Sequence, residues 1–199
     1  MTDLLVLHTL RCMGFTDLDR VADAAGLSAP EAESRLIDLA VAGLVTRTPG
    51  AFGGWGLTEA GKAEDARLIA EQRETAGATA AVTGAYERFM VLNPELLDLC
   101  SAWHMRTVDG VTTVNDHVDA GYDARVLDRF TDLDRRAGPV CADLEAALPR
   151  FGRYRGRLTA ALAQASSGRL EFLADTTTSY HAVWFQLHED LLVTLGIPR

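Results

Sequence analysis

Residues 18–58 change local character at short, regular intervals, and this ordering constrains the fold more than any other feature of the chain. Leu18 to Ala25 is a short helical pattern with Val21 and Ala22 on its inner face; Asp17 or Thr16 can cap it and Gly26 ends it. Ser28 opens a second helix, Glu31 three residues later completes a capping box, and Pro30 sits in the first turn, where it is tolerated. Ala32, Leu36, Leu39 and Ala40 form its apolar stripe, and small Ala24, Ala25 and Ala32 permit a close helix crossing. Gly43 stops that helix. Residues 44–47 read as a strand, residues 48–54 (TPGAFGG) as a glycine-rich turn, and residues 55–58 as the returning strand, with a new helix from Glu59. Helices this short are not stable alone, so each must bury its apolar face on the others. A helix before them, carried by Leu4, Leu5, Leu7, Leu10 and Arg11 and closed by Gly14, supplies further apolar surface.

The chain has 199 residues, 48% of them hydrophobic, which is enough for one large or two small cores. No stretch approaches the roughly 18 to 20 apolar residues that span a bilayer, and the opening MTDLLVLHTLR lacks the basic start and cleavage pattern of a secretion signal. A cytoplasmic protein without a membrane partner is expected. Cys12, Cys100 and Cys141 are widely separated in apolar or helical contexts and read as buried thiols. The net charge of −9 opposes indiscriminate adhesion to nucleic acid. Divided at residue 75, the first part carries 12 acids and 7 bases and the second 16 acids and 12 bases, so any phosphate contact must rest on a few local arginines.

Leu27-Ser28, Leu36 and Leu39, Gly43-Leu44-Val45 and then Leu57-Thr58-Glu59-Ala60-Gly61-Lys62 together resemble the winged helix-turn-helix of the MarR/PadR-type bacterial regulators over residues 4–75. The resemblance implies a homodimer on a double-stranded DNA operator with two half-sites, the third helix in the major groove and the wing against the backbone or in the minor groove. It places Ser28, Ala29, Glu33, Ser34 and Arg35 at the DNA face, with Arg47 and the wing backbone at Gly53 and Gly54 near phosphates. Arg35 is the natural donor to guanine, and Ser34 can meet a base edge or a phosphate. Two departures stand out. Glu31 and Glu33 are acidic where such proteins carry basic or amide residues, and Phe52-Gly53-Gly54 brings no Lys or Arg to the wing tip. Phe52 and Trp55 either reach a partner from the wing or, in the case of Trp55, anchor the wing on the helical core.

Residues 1–75 are thus expected to form a winged helix-turn-helix domain, and residues 76–199 a helical domain for effector binding and dimerisation. The fold class is mainly α, with a small β-wing and an all-helical C-terminal bundle. Helical character runs from Glu59 to Phe89 with interruptions expected near Gly77 and Gly84. Beyond it, helices are expected over 94–105, 116–134, 138–148, 154–165, 170–176 and 180–195, with Pro94 and Pro139 in first turns and a less regular stretch over 108–114.

Four of the five histidines lie in this second part. His181 and His188 share one helix face with Trp184 and Phe185 between them, Trp103-His104 lies on another helix, and His117 sits between Asp116 and Asp119. The run Arg150, Arg153, Arg155 and Arg157, interleaved with Phe151 and Tyr154, is the one concentration of positive charge and suits a phosphate or carboxylate. Trp103, His104, Arg153, Tyr154, Arg155, His181, Trp184 and His188 are therefore the candidate lining of a small-molecule effector site, anionic if the arginines hold it. No cofactor is expected. A metal is not expected either; were one bound, His104, His181 and His188 would be its ligands. No catalytic motif appears. These residues point to a ligand-responsive repressor, with a winged-helix protein adaptor, or an enzyme using histidine–carboxylate chemistry, as alternatives.

Overall fold

A computed structural model describes residues 2–50 and 53–198; the chain is mainly helical, 72% helix, with two small two-stranded sheets. In chain order the elements are α1 Thr2–Met13, α2 Leu18–Ala25, α3 Ala29–Val41, β1 Val45–Thr48, β2 Gly54–Leu57, α4 Glu59–Thr75, α5 Thr79–His104, β3 Met105–Val108, β4 Val111–Val114, α6 Ala120–Ala147, α7 Gly152–Ser166 and α8 Tyr180–Leu195. Two 3-10 turns, Pro149–Phe151 and Leu170–Phe172, flank α7. The chain forms two compact units, one of Met1–Ala80 with Gln186–Arg199 and one of Ala81–Phe185. No helix among the described residues is long and apolar enough to cross a membrane.

The first unit follows its capping signals. Asp17 accepts the Arg20 N–H at 2.9 Å to start α2, and Ser28 and Glu31 cap α3 reciprocally. β1 and β2 pair antiparallel with Val45 opposite Leu57 and Arg47 opposite Trp55. Thr16 joins them from outside, exchanging backbone hydrogen bonds of 3.0 and 2.7 Å with Trp55. Trp55 enters a core of Val6, Leu7, Leu10, Val21, Leu36, Leu39 and Val45. The start of α4 is stitched to the end of α3: the Thr58 hydroxyl donates to Gly43 O at 2.7 Å, accepts the Gly61 N–H at 3.0 Å and caps the helix. A Cβ on Gly61 would overlap the Leu44 carbonyl oxygen, which is why Thr58 must be followed by glycine three residues on.

In the second unit several expectations are corrected. The stretch over 108–114 belongs to a β-hairpin, so this unit is not all-helical. Six of the eight strand residues are Val or Thr, and Asp109 and Gly110 both take left-handed φ (52° and 81°), the geometry of a two-residue type I′ turn. Gly77 does separate α4 from α5, but Gly84 lies inside α5 without a break. Pro94 and Pro139 are interior to α5 and α6, not in first turns, and the two helices expected over 116–148 are one that begins at Ala120 with Asp119 as its cap. Continuity of the buried stripe explains this: Phe89, Leu92, Leu96 and Leu99 run through Pro94, and Phe130, Leu133, Ala137, Val140 and Leu144 run through Pro139. Burial along both halves outweighs the roughly 3 kcal/mol that an interior proline costs. The helix expected over 170–176 is only the short 3-10 turn.

Candidate functional site

Three groupings of polar residues stand out, and the first is the outer face of α3. Ala32, Leu36 and Leu39 are buried, which turns Glu33, Ser34 and Arg35 outward, while Ala29 is half-buried. The Arg35 guanidinium lies 3.9 Å from Asp3 and 3.8 Å from Asp38, loose contacts between exposed groups that a phosphate or a base edge can displace. Ser34 and Arg35 border a shallow cavity of about 330 Å³ with Thr2, Leu27, Pro30 and Glu31. Ser28 is already committed: its hydroxyl donates to Glu31 at 2.6 Å, and that hydroxyl and the Ser28 N–H lower the Glu31 carboxyl below its ordinary range. Arg47 is exposed on β1, with its guanidinium 5.6 Å from the centre of the Trp55 ring. Gly53 and Gly54 have a local reason to be glycine, since a Cβ there would overlap the Thr48 carbonyl or press on the Thr16 carbonyl. Phe52 lies outside the described residues. Ile37 and Val41, 50% and 86% exposed, share the outer side of α3.

The second grouping gathers part of the expected effector lining. Trp103 Nε1–H donates to Asp175 at 2.9 Å, and His104 sets Nε2 2.8 Å from the other Asp175 oxygen and Nδ1 2.8 Å from Cys100 O, two acceptors that are both satisfied only by the protonated ring. Burial works against the charged His104 ring, but the Cys100 carbonyl and the Asp175 carboxylate outweigh it and raise its pKa. His181 is shifted the other way, down, by burial and by the charge on His104. Asp175, which joins Trp103 and His104, was not among the expected site residues; the segment 170–176 was expected as a helix, and Asp175 instead follows a short 3-10 turn in irregular structure.

The remaining expected residues make other contacts or, for His188, lie in the first unit. Trp184 is buried, stacked on Phe89 at 4.6 Å, with its N–H donated to Asn93. Tyr154 is buried in the α7 stripe and its hydroxyl accepts from Arg153. Arg155, 35% exposed, is held by Asp134 through bonds of 2.7 and 2.9 Å, and Tyr180 donates to the same carboxylate, so this guanidinium is already paired within the chain. Burial and Asp134 raise the Tyr180 hydroxyl. Arg150 is 92% buried over the Phe151 ring, at 4.4 Å from its centre. His188 lies on the stretch of α8 that belongs to the first unit, whereas His104 and His181 belong to the second. Cys12, Cys100 and Cys141 are free thiols in buried positions, and burial pushes Cys100 up to about 12 and Cys141 up to about 11.

The third grouping was missed. His8 is buried on α1; its Nδ1–H donates to Asp65 of α4 at 3.0 Å and its Nε2 lies 3.0 Å from Asp190 of α8 and 3.6 Å from the Cys12 sulfur. Burial opposes the charged ring, yet the Cys12 sulfur and the two carboxylates hold its pKa well above the ordinary value. The signal available in the sequence was the four-residue step from His8 to Cys12 on an apolar helix. Comparisons with family models, curated proteins and solved structures gave no match.

Proposed function

We propose that the protein is a sequence-specific, DNA-binding transcription regulator of the cytoplasm. In this reading α1 to α4 with the β1–β2 hairpin act as a winged helix-turn-helix, and the helical second unit as an effector-binding and dimerisation domain. The observation that carries it is α3: capped at Ser28, packed against α2, turned so that Glu33, Ser34 and Arg35 face outward, and followed by a hairpin bearing exposed Arg47. Laid in the major groove, Arg35 would meet a guanine edge, Glu33 a cytosine amine and Ser34 a base edge or a phosphate, while Arg47 would meet the backbone. A homodimer would read two half-sites about 34 Å apart, a spacing that tolerates little change. A small-molecule effector held near Trp103, His104 and His181 would then repress or release by shifting the population of dimers with the right spacing.

The test is selection of fragmented genomic DNA by the purified chain at low salt, followed by salt titration of the enriched fragment. One pseudo-palindromic site is expected, and Arg35→Ala should weaken its binding by about 1–3 kcal/mol and relax preference at one base position. A second reading is favoured by Ile37 and Val41, exposed on a helix that also carries Glu31, Glu33 and Asp38: a winged helix used to grip another protein. Absence of enrichment even at about 50 mM salt would select that reading and reject the regulator.

A further inference from the structure

His8 and Cys12 stand one helical turn apart on the buried face of α1, and Asp190 reaches the same point from α8, at the other end of the chain. The three side chains are 1%, 4% and 0% exposed, and their donor atoms all lie within 4.8 Å of one another. Their spacing is that of ligands around a common centre. A tetrahedral zinc ion with Zn–S of about 2.3 Å and Zn–N of about 2.0–2.1 Å separates sulfur from nitrogen by about 3.6 Å, and Cys12 Sγ lies 3.6 Å from His8 Nε2. The same geometry separates imidazole nitrogen from carboxylate oxygen by about 3.3 Å, and the 3.0 Å from His8 Nε2 to Asp190 Oδ1 needs to open by only a few tenths of an ångström.

The fourth residue of the cluster has a different place. Asp65 accepts from His8 Nδ1–H, and this bond fixes the ring so that Nε2 faces Cys12 and Asp190. A carboxylate on the far nitrogen is the usual orienting partner of a metal-ligating histidine. A structural histidine needs neither a second carboxylate nor a thiol beside its other nitrogen; here both converge on it.

We infer that His8 Nε2, Cys12 Sγ and an Asp190 carboxylate oxygen form a buried binding site for a zinc-class divalent cation, with Asp65 positioning His8. One thiolate, one imidazole and one carboxylate match that class of ion and not magnesium or calcium, which take oxygen ligands. The cation replaces the protons on His8 Nε2 and Cys12 Sγ, two charges entering as two protons leave to solvent, so the net charge of the cluster is unchanged. Three protein ligands leave a fourth position for water or a further oxygen. The site joins α1 to α8 within the first unit, so binding is coupled to folding of that unit: at about one hundred times the dissociation constant, the folding equilibrium shifts about a hundredfold. None of this depends on whether α3 binds DNA.

The test is cobalt(II) titration of the chelator-stripped full chain. One equivalent should produce a near-ultraviolet thiolate-to-cobalt charge-transfer band and the intense visible bands of a tetrahedral ion, both abolished by zinc. Cys12→Ser should remove the charge-transfer band, and Cys100→Ser and Cys141→Ser should keep it. Because Cys12→Ser alters a buried position, zinc-edge X-ray absorption of the unmutated protein provides the second readout. One sulfur at about 2.3 Å with nitrogen and oxygen at about 2.0–2.2 Å supports the site. Absence of the charge-transfer band, its persistence in Cys12→Ser, or a first shell of nitrogen and oxygen alone overturns it.

Discussion

The two β-hairpins have four-residue strands and the same antiparallel pairing but are held in opposite ways. β1–β2 closes on apolar contact: Trp55 and Val45 are 7% and 3% exposed within the first unit's core, and Thr16 pairs along the outer edge of β2. β3–β4 is exposed along both strands apart from half-buried Arg106, which pairs with Asp116 at 2.9 Å, and is held by polar contacts gathered near its base. There the Asn115 N–H donates to His104 O at 2.8 Å, and the Asn115 amide donates to Trp103 O and to Asp123. His117 binds the other Asp123 oxygen and lies over the Trp103 ring at 4.2 Å. A hairpin fixed by apolar burial resists local opening until its whole unit unfolds, whereas one fixed by polar groups at a single end opens locally and responds to the protonation of those groups.

The first hairpin should therefore fail with its core. Trp55→Ala is expected to lower the stability of the first unit by about 3–5 kcal/mol, through lost burial and the cavity left behind. Val111→Thr, at an exposed site of the second hairpin, should stay within about 0.5 kcal/mol. Denaturant unfolding of the two variants checks both, and equal losses would remove the distinction.

Gly61→Ala comes next, at about 1–3 kcal/mol or more, because the added methyl presses on the Leu44 carbonyl and forces α4 away from the segment that feeds β1. The cost should appear in the first unit alone, read from a lower thermal midpoint with unchanged protection of amides in β3–β4. That position also marks how far the sequence could be read. Thr58 and Gly61 belong to a run recognisable by eye, as do the Ser28–Glu31 box and the Gly26 and Gly43 stops, because each is a local rule with a local cause. Pro94 and Pro139 misled because their penalty is local while the stripe that overrides it extends over the whole helix. Asp109-Gly110 between β-branched runs was a readable hairpin signal, obscured by the helices on either side. Among the site residues, Trp103, His104 and His181 were legible as aromatic and histidine positions on helices. Asp175 and the triad around His8 were not, since they depend on residues brought together from distant parts of the chain.

Asn115→Ala should cost less, about 1–3 kcal/mol, by leaving the buried Asp123 carboxylate short of a donor. The loss should be local. Amide exchange in β3 and β4 should accelerate while β1 and β2 keep their protection; a uniform loss across both hairpins would mean that the polar base does not act as a separate fastening.

The smallest effect is the pH dependence contributed by His104 and His181 of the second unit, separate from that of buried His8 in the first. His104 is raised in the folded state because the Cys100 carbonyl and Asp175 outweigh burial, so its stabilising contribution is complete below its unfolded value near 6.5 and is lost as pH rises through the higher folded value. His181 is lowered by burial and by His104, so its contribution is present above the unfolded value and lost as pH falls through the lower folded one. The two contributions act on opposite sides of pH 6.5 and leave a shallow maximum near it, and with the His104 side chain 50% exposed the loss on that side should stay below about 1 kcal/mol. Histidine ring signals in NMR separate the pair: His104 should titrate above 6.5 and His181 below it. Asp175→Asn removes the carboxylate that raises His104, so the His104 midpoint should fall; with His104 then neutral over more of the pH range, the His181 midpoint should rise. Movement of both midpoints in the same direction would rule out electrostatic coupling between His181 and His104, whose carbonyl anchors the foot of the second hairpin.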